Sequence, residues 1–381
     1  MSVRRIPFAS LRPGEDGAAV NDAVRRVIEA GWFILGPEVE AFEAEFAAAS
    51  GARHAVGVGT GTDALALILR ALNIGRGDEV ITSPLSATFS ALAIMVTGAR
   101  PVFADIDPDR LTIDPAAVEA AITPKTAAIL PVHLYGQPAH MEAIAAIAER
   151  HHLAIVEDCC QAHLATCGGR PVGTFGLAGA FSFYPTKNLG ALGDGGAVIT
   201  RDEQLAGRIR RLRNGGQTDR NQHVEPGVNS RLDELQAAVL RARLRFLARW
   251  TVRRRQLAAA YRRALSGSRV AVPRELDAGH VYHLFPIRTS ARDAVQTHLA
   301  AEGIETLIHY PVPITRQPAL AGEAPAECPV ATRVCAEVVS LPLYPALADS
   351  DVDSICESIH RFTAAPRTTG RSADCEIGNA F

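Results

Sequence analysis

The chain has 381 residues, enough for two lobes with a substantial core, and its 48% hydrophobic content supports dense burial. A formal charge of -2 gives no electrostatic case for nucleic acid, and seven irregularly spaced cysteines fit neither a disulfide framework nor a zinc site. No metal is therefore expected, and a reducing cytoplasm is the natural home. The opening MSVRRIPFASLRPG lacks the apolar core of a signal peptide. The most apolar stretch, around residues 85–99, is too short and too rich in Ser and Thr to span a bilayer.

The first informative element is HAVGVGTGTDALALILRALNI, residues 54–74, a short strand running into a glycine turn and then an apolar-periodic helix beginning near Asp63. Backbone amides of Gly61 and Thr62, at the positive end of that helix, suit a phosphate dianion without any basic side chain. A dinucleotide fingerprint is the competing reading. Gly57, Gly59 and Thr62 miss its last glycine, and the next strand, EVITSP, is followed by no acidic residue at the ribose-binding position.

Strand-like runs continue as EVITSP, RPVFADI, AAILPVH, LAIVEDC and GGAVITR, alternating with helical patterns through about residue 240. The alternation predicts an α/β fold with a mainly parallel sheet. In AIVEDCCQAH, residues 154–163, an apolar strand ends in Asp158 with Gln161 beyond it, at the kind of strand end where open parallel sheets bind ligands. Asp158 as a plain helix cap is the alternative. Glu157 is expected to face the other way along the strand. Residues 180–200, AFSFYPTKNLGALGDGGAVIT, place Lys187 between a buried-looking aromatic run and a glycine-rich turn. Most lysines are solvated surface groups. This one stands in a chain whose positive charge is carried nearly all by arginine, which marks it for an amine that can lose its proton. A phosphate seat, a strand-end carboxylate and an imine-forming lysine together are what pyridoxal phosphate requires.

A long helical tract follows, LDELQAAVLRARLRFLARW and then RRRQLAAAYRRAL, linking a large lobe to a smaller one. Its arginines, like those of RIRRLRN, have the spacing of a solvated or subunit-facing helix. VYHLFPIR and VVSLPL read as short strands of the second lobe. The predicted organisation is a large domain over residues 1–245, a small α+β domain over 246–365, and a loop-like tail over 366–381.

IPFASL, FILGPEVEAFEAEFA, GTDALALILRAL, GDEVITSPLSATFSALAI, PVHLYGQPAHM, VEDCCQAH, FSFYPTKNLGALGDGGAV, NSRLDELQAAVL, HYPVPI and SLPLYP together resemble the DegT family of pyridoxal-phosphate sugar aminotransferases. The resemblance runs from about residue 6 to about residue 344. It implies the type I, aspartate-aminotransferase-like fold and a homodimer with shared active sites. It implies Lys187 as the Schiff-base lysine and proton shuttle, Asp158 as partner of the pyridinium nitrogen, and Gln161 beside the ring hydroxyl. Phe89 would stack on the ring. Gly61, Thr62 and Ser182 would hold the phosphate, with Asn229 reaching it from the partner subunit.

His163, His309 and Tyr310 would border the substrate, and His283 lies in a similar motif. SFYPTKNLGALGDGG is similar to the branch that aminates a 3-keto sugar, whereas a K…TGEGG version is more frequent in the 4-keto branch. The implied reaction is amino transfer from L-glutamate to a nucleotide-linked keto sugar, favouring a thymidine diphosphate-linked 3-keto-6-deoxyhexose. A 4-keto sugar or keto-cyclitol acceptor, or a non-catalytic regulatory protein that binds the cofactor, are the alternatives. Asn221 and Thr315 depart from the family pattern, in regions implied to touch the sugar nucleotide. Cys159 and Cys160 replace the usual small pair, which alters packing behind the cofactor.

Overall fold

The computed structural model describes residues 5–320 and 327–364. The expected tail over 366–381 lies outside the described residues.

The fold is α/β, organised on a seven-stranded sheet. Its strands run in the order His54–Val58, Gly196–Thr200, Ala178–Ser182, Ala154–Asp158, Thr126–Leu130, Glu79–Thr82 and Arg100–Phe103. All pair in parallel except Gly196–Thr200, which runs antiparallel to both of its neighbours. The apolar runs read from the sequence become these strands, and the inner ones read as near-continuous apolar segments because helices cover both faces. The antiparallel strand was not foreseen. Residues 183–195 form no helix and return the chain directly alongside Ala178–Ser182, without the crossover that a parallel pair demands.

The helix after the first strand starts at Gly61, two residues before the expected Asp63, because Thr60 caps it: its Oγ1 accepts from Asp63 N at 3.0 Å. Its apolar face, including Leu65, Ile68 and Leu69, is buried against the sheet. The arginine-rich tract is one helix of 31 residues, Glu234–Ala264, and residue 245 falls inside it. Its N-terminal half packs on the first two helices, Gly17–Ala30 and Pro37–Ala49. Its C-terminal half carries Leu257 and Tyr261 into a separate core with Phe285, Val339 and Ile355. There Phe285–Arg288 and Val338–Leu341, the two short strands expected of the second lobe, form an antiparallel pair.

Two of the helix's arginines depart from the solvated reading: Arg243 is buried on Asp16 at 2.8 Å, and Arg254 is buried with no acidic partner among the described residues. The first described residues also join the second lobe, since Ile6 bridges Ile304 and Phe8 N donates to Glu305 at 3.1 Å.

Candidate active site

Because the sheet is parallel around Ala154–Asp158, the carboxyl ends of three strands open on one edge, and the residues after each supply the site. Val58 leads into Gly59–Thr60–Gly61, Asp158 ends its own strand, and Ser182 ends the next. Gly61 is packed so closely that a Cβ there would lie 2.7 Å from Cys160 Sγ and 2.8 Å from Ser182 Cβ. The helix start, the Asp158 turn and Ser182 therefore meet at one point, and only glycine leaves the backbone amides of that helix start uncovered. Thr62, next along, is half-buried. Ser230 locks the turn from a distance, accepting from Gly59 N at 2.9 Å and donating to Asp63 Oδ2 at 2.8 Å. Asn229, its neighbour, is exposed.

Asp158 is buried, with Oδ1 accepting from Cys160 N at 3.1 Å and Oδ2 from Ser90 Oγ at 2.8 Å. Each oxygen thus keeps acceptor capacity. Gln161 is oriented at both ends: its Oε1 accepts from Tyr135 N at 2.7 Å, and its Nε2 donates to Tyr310 Oη at 3.1 Å. Tyr135 stands at φ +59°, outside the usual range for a bulky residue, and its hydroxyl donates to the His309 carbonyl. Tyr310 and His309 are thereby tied to the strand-end residues. Burial raises the Tyr310 phenol to about 12, so it is a neutral donor and acceptor at ordinary pH.

Lys187 lies on the loop between Ala178–Ser182 and Gly196–Thr200. Burial pulls its ammonium below the ordinary lysine value, against the opposing pull of Cys160 and Asp158. It lines a cavity of about 500 Å³ together with His283, His309, Arg254 and the N-terminal segment around Phe8 and Arg12. His283 Nδ1 lies 3.2 Å from Asn188 Oδ1, and His309 Nδ1 lies 3.0 Å from Ser340 Oγ. Burial and the nearby Lys187 charge hold His309 down to about 4 and His283 well below its ordinary value, so both rings are neutral.

His163 departs from expectation. Its ring is fully buried against Phe181 and Phe183, with Nε2 2.9 Å from the Ser182 carbonyl, so it stands behind Ser182 and does not reach the cavity. Phe89 heads the helix Phe89–Met95 and is 61% exposed, leaving its ring free to lie against a ligand. Asn221 sits at φ +69°, at the tip of an exposed hairpin between Gln217–Asp219 and Gln222–His223. That left-handed position favours Asn over an aromatic, a backbone reason for the departure from the family pattern. Thr315 is half-buried in the short 3₁₀ turn Ile314–Arg316.

His133, Glu157 and Cys159 also come together, with ligand atoms within 4.8 Å of one another. The lone pairs of His133 and Glu157 are already committed. His133 Nδ1 accepts from Ala139 N at 3.0 Å, which puts the proton on Nε2, 3.1 Å from Glu157 Oε2. Glu157 also accepts from Gly173, Phe175 and Gly176 N at 2.7, 2.7 and 2.9 Å. As its strand position predicts, Glu157 faces away from the cleft. The sequence reading missed Ser90, Tyr135, Ser230 and Arg254. Ser90 lies one residue beyond Phe89, and Ser230 one beyond Asn229, so the segments were found but not the anchoring hydroxyls.

Residues 15–360 match the DegT/DnrJ/EryC1/StrS aminotransferase family. The dTDP-3-amino-3,4,6-trideoxy-alpha-D-glucose transaminase of Streptomyces venezuelae is 51% identical over 349 residues, 90% of this chain and 92% of that one. The erythromycin biosynthesis sensory transduction protein EryC1 of Saccharopolyspora erythraea is 49% identical over 360 residues, 93% and 98% of the two chains. Among solved structures, DesV of S. venezuelae in complex with a ketimine intermediate superposes with a TM-score of 0.93 at 48% identity, over 95% of this chain and 99% of that one.

Proposed function

The chain belongs to the DegT/DnrJ/EryC1/StrS aminotransferase family, and from that premise we propose that it moves the amino group of L-glutamate to the 3-keto carbon of a nucleotide-linked 6-deoxyhexose, with thymidine diphosphate the favoured carrier. It is a pyridoxal-phosphate-dependent sugar aminotransferase. The observation that carries the residue assignments is the meeting of Gly61, the Asp158–Cys160 turn and Ser182 at one sheet edge, beside a lysine depressed by burial.

When bound, pyridoxal phosphate supplies an aldehyde that exchanges for an amine and a cationic ring that takes up electrons. Gly61, Thr62 and Ser182 would hold its phosphate through the open helix start and a hydroxyl. Asp158, with acceptor capacity left on both oxygens, would keep the ring nitrogen protonated. Gln161, fixed by Tyr135 and Tyr310, would sit beside the ring hydroxyl, and Phe89 would cover one face. Lys187 Nζ, with its proton loosened by desolvation, would take the proton from the donor carbon in one half-reaction and deliver one to the acceptor's keto carbon in the other. His309 and Tyr310 would border the sugar as neutral hydrogen-bonding groups.

Asn229 of the partner subunit would complete the phosphate seat in a homodimer. The exposure of Trp32, Phe33 and Tyr184 supports a covered face of that kind. Six free cysteines among the described residues suit a reducing cytoplasm. Among the described residues no helix is long and apolar enough to cross a membrane.

Purified protein supplied with the cofactor should be yellow, bleach with glutamate, and yield a 3-amino sugar by NMR. Lys187→Ala should lose turnover by at least about 10⁴-fold. A 4-amino product would move the chain to the other branch. Bleaching without amine transfer to any keto sugar would favour a sensor, the role named for EryC1.

A further inference from the structure

The cavity beside Lys187 holds one buried cation whose charge the protein leaves unanswered. Its charged lining is Arg12, Glu15, Asp16, Lys187, Arg243 and Arg254. Both acids are engaged elsewhere: Asp16 accepts from Arg243 at 2.8 Å, while Glu15 accepts from Arg249 at 2.6 Å and Trp250 Nε1 at 2.7 Å. Arg254 is 6% exposed and has no acidic partner among the described residues. Its three hydrogen bonds all run from Nη1, to the carbonyls of Tyr282, His283 and Leu343 at 3.2, 3.3 and 2.8 Å.

Those contacts fix the plane of the guanidinium and use only one of its nitrogens. Nε is enclosed without a hydrogen-bond partner, and among the described residues no bond runs from Nη2 either. Nε and Nη2 form the side-on edge of an arginine, the pair of parallel donors that matches a carboxylate. A buried charge left this way is costly, and burial alone pulls this guanidinium down to about 10. His283 and His309, the neighbouring rings, are neutral and bring no competing charge.

We propose that Arg254 seats a carboxylate of the amino donor through its Nε–Nη2 edge, in the cavity that also holds Lys187. The proposal rests on the aminotransferase reading and adds a donor subsite to it. One anion on this edge would satisfy the guanidinium and fix the donor relative to Lys187 Nζ. Arg254 is thus a specificity residue for the half-reaction with glutamate, and its three carbonyl contacts make it rigid before the donor arrives.

The test uses holoenzyme and glutarate, an unreactive dicarboxylate, with binding read by calorimetry. Wild-type protein should bind glutarate competitively with glutamate. Arg254→Met should weaken glutarate by about tenfold or more, as expected for a lost charge-assisted pair, while affinity for the sugar nucleotide stays within about twofold. In the half-reaction, the variant's loss should be larger for glutamate than for an amine without a carboxylate; a purely structural role would lower both alike. Unchanged glutarate affinity, or an equal loss for the sugar nucleotide, would overturn the proposal. Should Arg254→Met fail to fold, a wild-type crystal soaked with glutarate decides: a carboxylate within hydrogen-bond distance of Nε and Nη2 supports the assignment, and one elsewhere in the cavity refutes it. Bleaching by glutamate is read separately, so failure of the aminotransferase reading is distinguishable from failure of this subsite.

Discussion

The strand Ala154–Asp158 separates two buried carboxylates that are adjacent in sequence and opposite in use. Behind the sheet, Glu157 accepts from three backbone amides and faces the His133 ring, so both oxygens are saturated by the protein itself. In front, Asp158 has one protein donor on each oxygen and faces the cleft. Burial does not distinguish the two; the number of donors the fold supplies does. Glu157 holds the turn at residues 173–176, where a Cβ on Gly176 would lie 2.2 Å from the Ile155 carbonyl. Asp158 keeps its capacity for something the chain does not contain.

Substitutions on the two sides should therefore fail in different ways. Asp158→Asn should lower turnover roughly 100- to 1,000-fold, with thermal stability close to wild type, because a neutral amide cannot hold a proton on the ring nitrogen. Glu157→Gln should do the reverse. Its amide group would face backbone donors and leave them without an acceptor, costing about 3 kcal/mol in urea unfolding while activity per folded molecule stays within about twofold. Equal loss of activity in both variants would break the contrast.

A smaller effect sharpens it further. His163, enclosed behind Ser182, is held by burial down to about 3 from an ordinary 6.5, so the unfolded chain takes up its proton first as pH falls. Its share of stability is intact above pH 6.5 and is withdrawn below it, by up to about 1.4 kcal/mol per pH unit. Comparing urea unfolding at pH 7 and pH 5, His163→Phe should lose less stability on acidification than wild type. A substrate-contacting His163 would instead change the KM for the sugar and leave that acid limb untouched.

The sheet was legible because its strands are nearly unbroken apolar runs, and the side of Glu157 followed from strand alternation alone. Lys187 stood out by the scarcity of lysine. What escaped depends on groups distant in sequence. Ser90 matters only because its helix packs beside Asp158, and Arg254 only because strand ends near residues 282 and 343 converge on it. His163 was placed in the cleft by proximity to Gln161; its position among Phe181 and Phe183 is set by the neighbouring strand. Asn221 was read as a departure from the family pattern in a region touching the sugar nucleotide, and its positive φ gives a local reason that no residue pattern displayed.

The antiparallel strand Gly196–Thr200 lies between His54–Val58 and Ala178–Ser182 and hydrogen-bonds to both. The glycine turn that would receive the phosphate is thus synthesised early, but the strand that braces it leaves the ribosome some 140 residues later. A nascent chain halted before Gly196 would carry nearly every residue assigned to the cofactor and no partner strand for His54–Val58. Vitamin capture on this protein is then expected to come late in its synthesis, with closure of the central sheet.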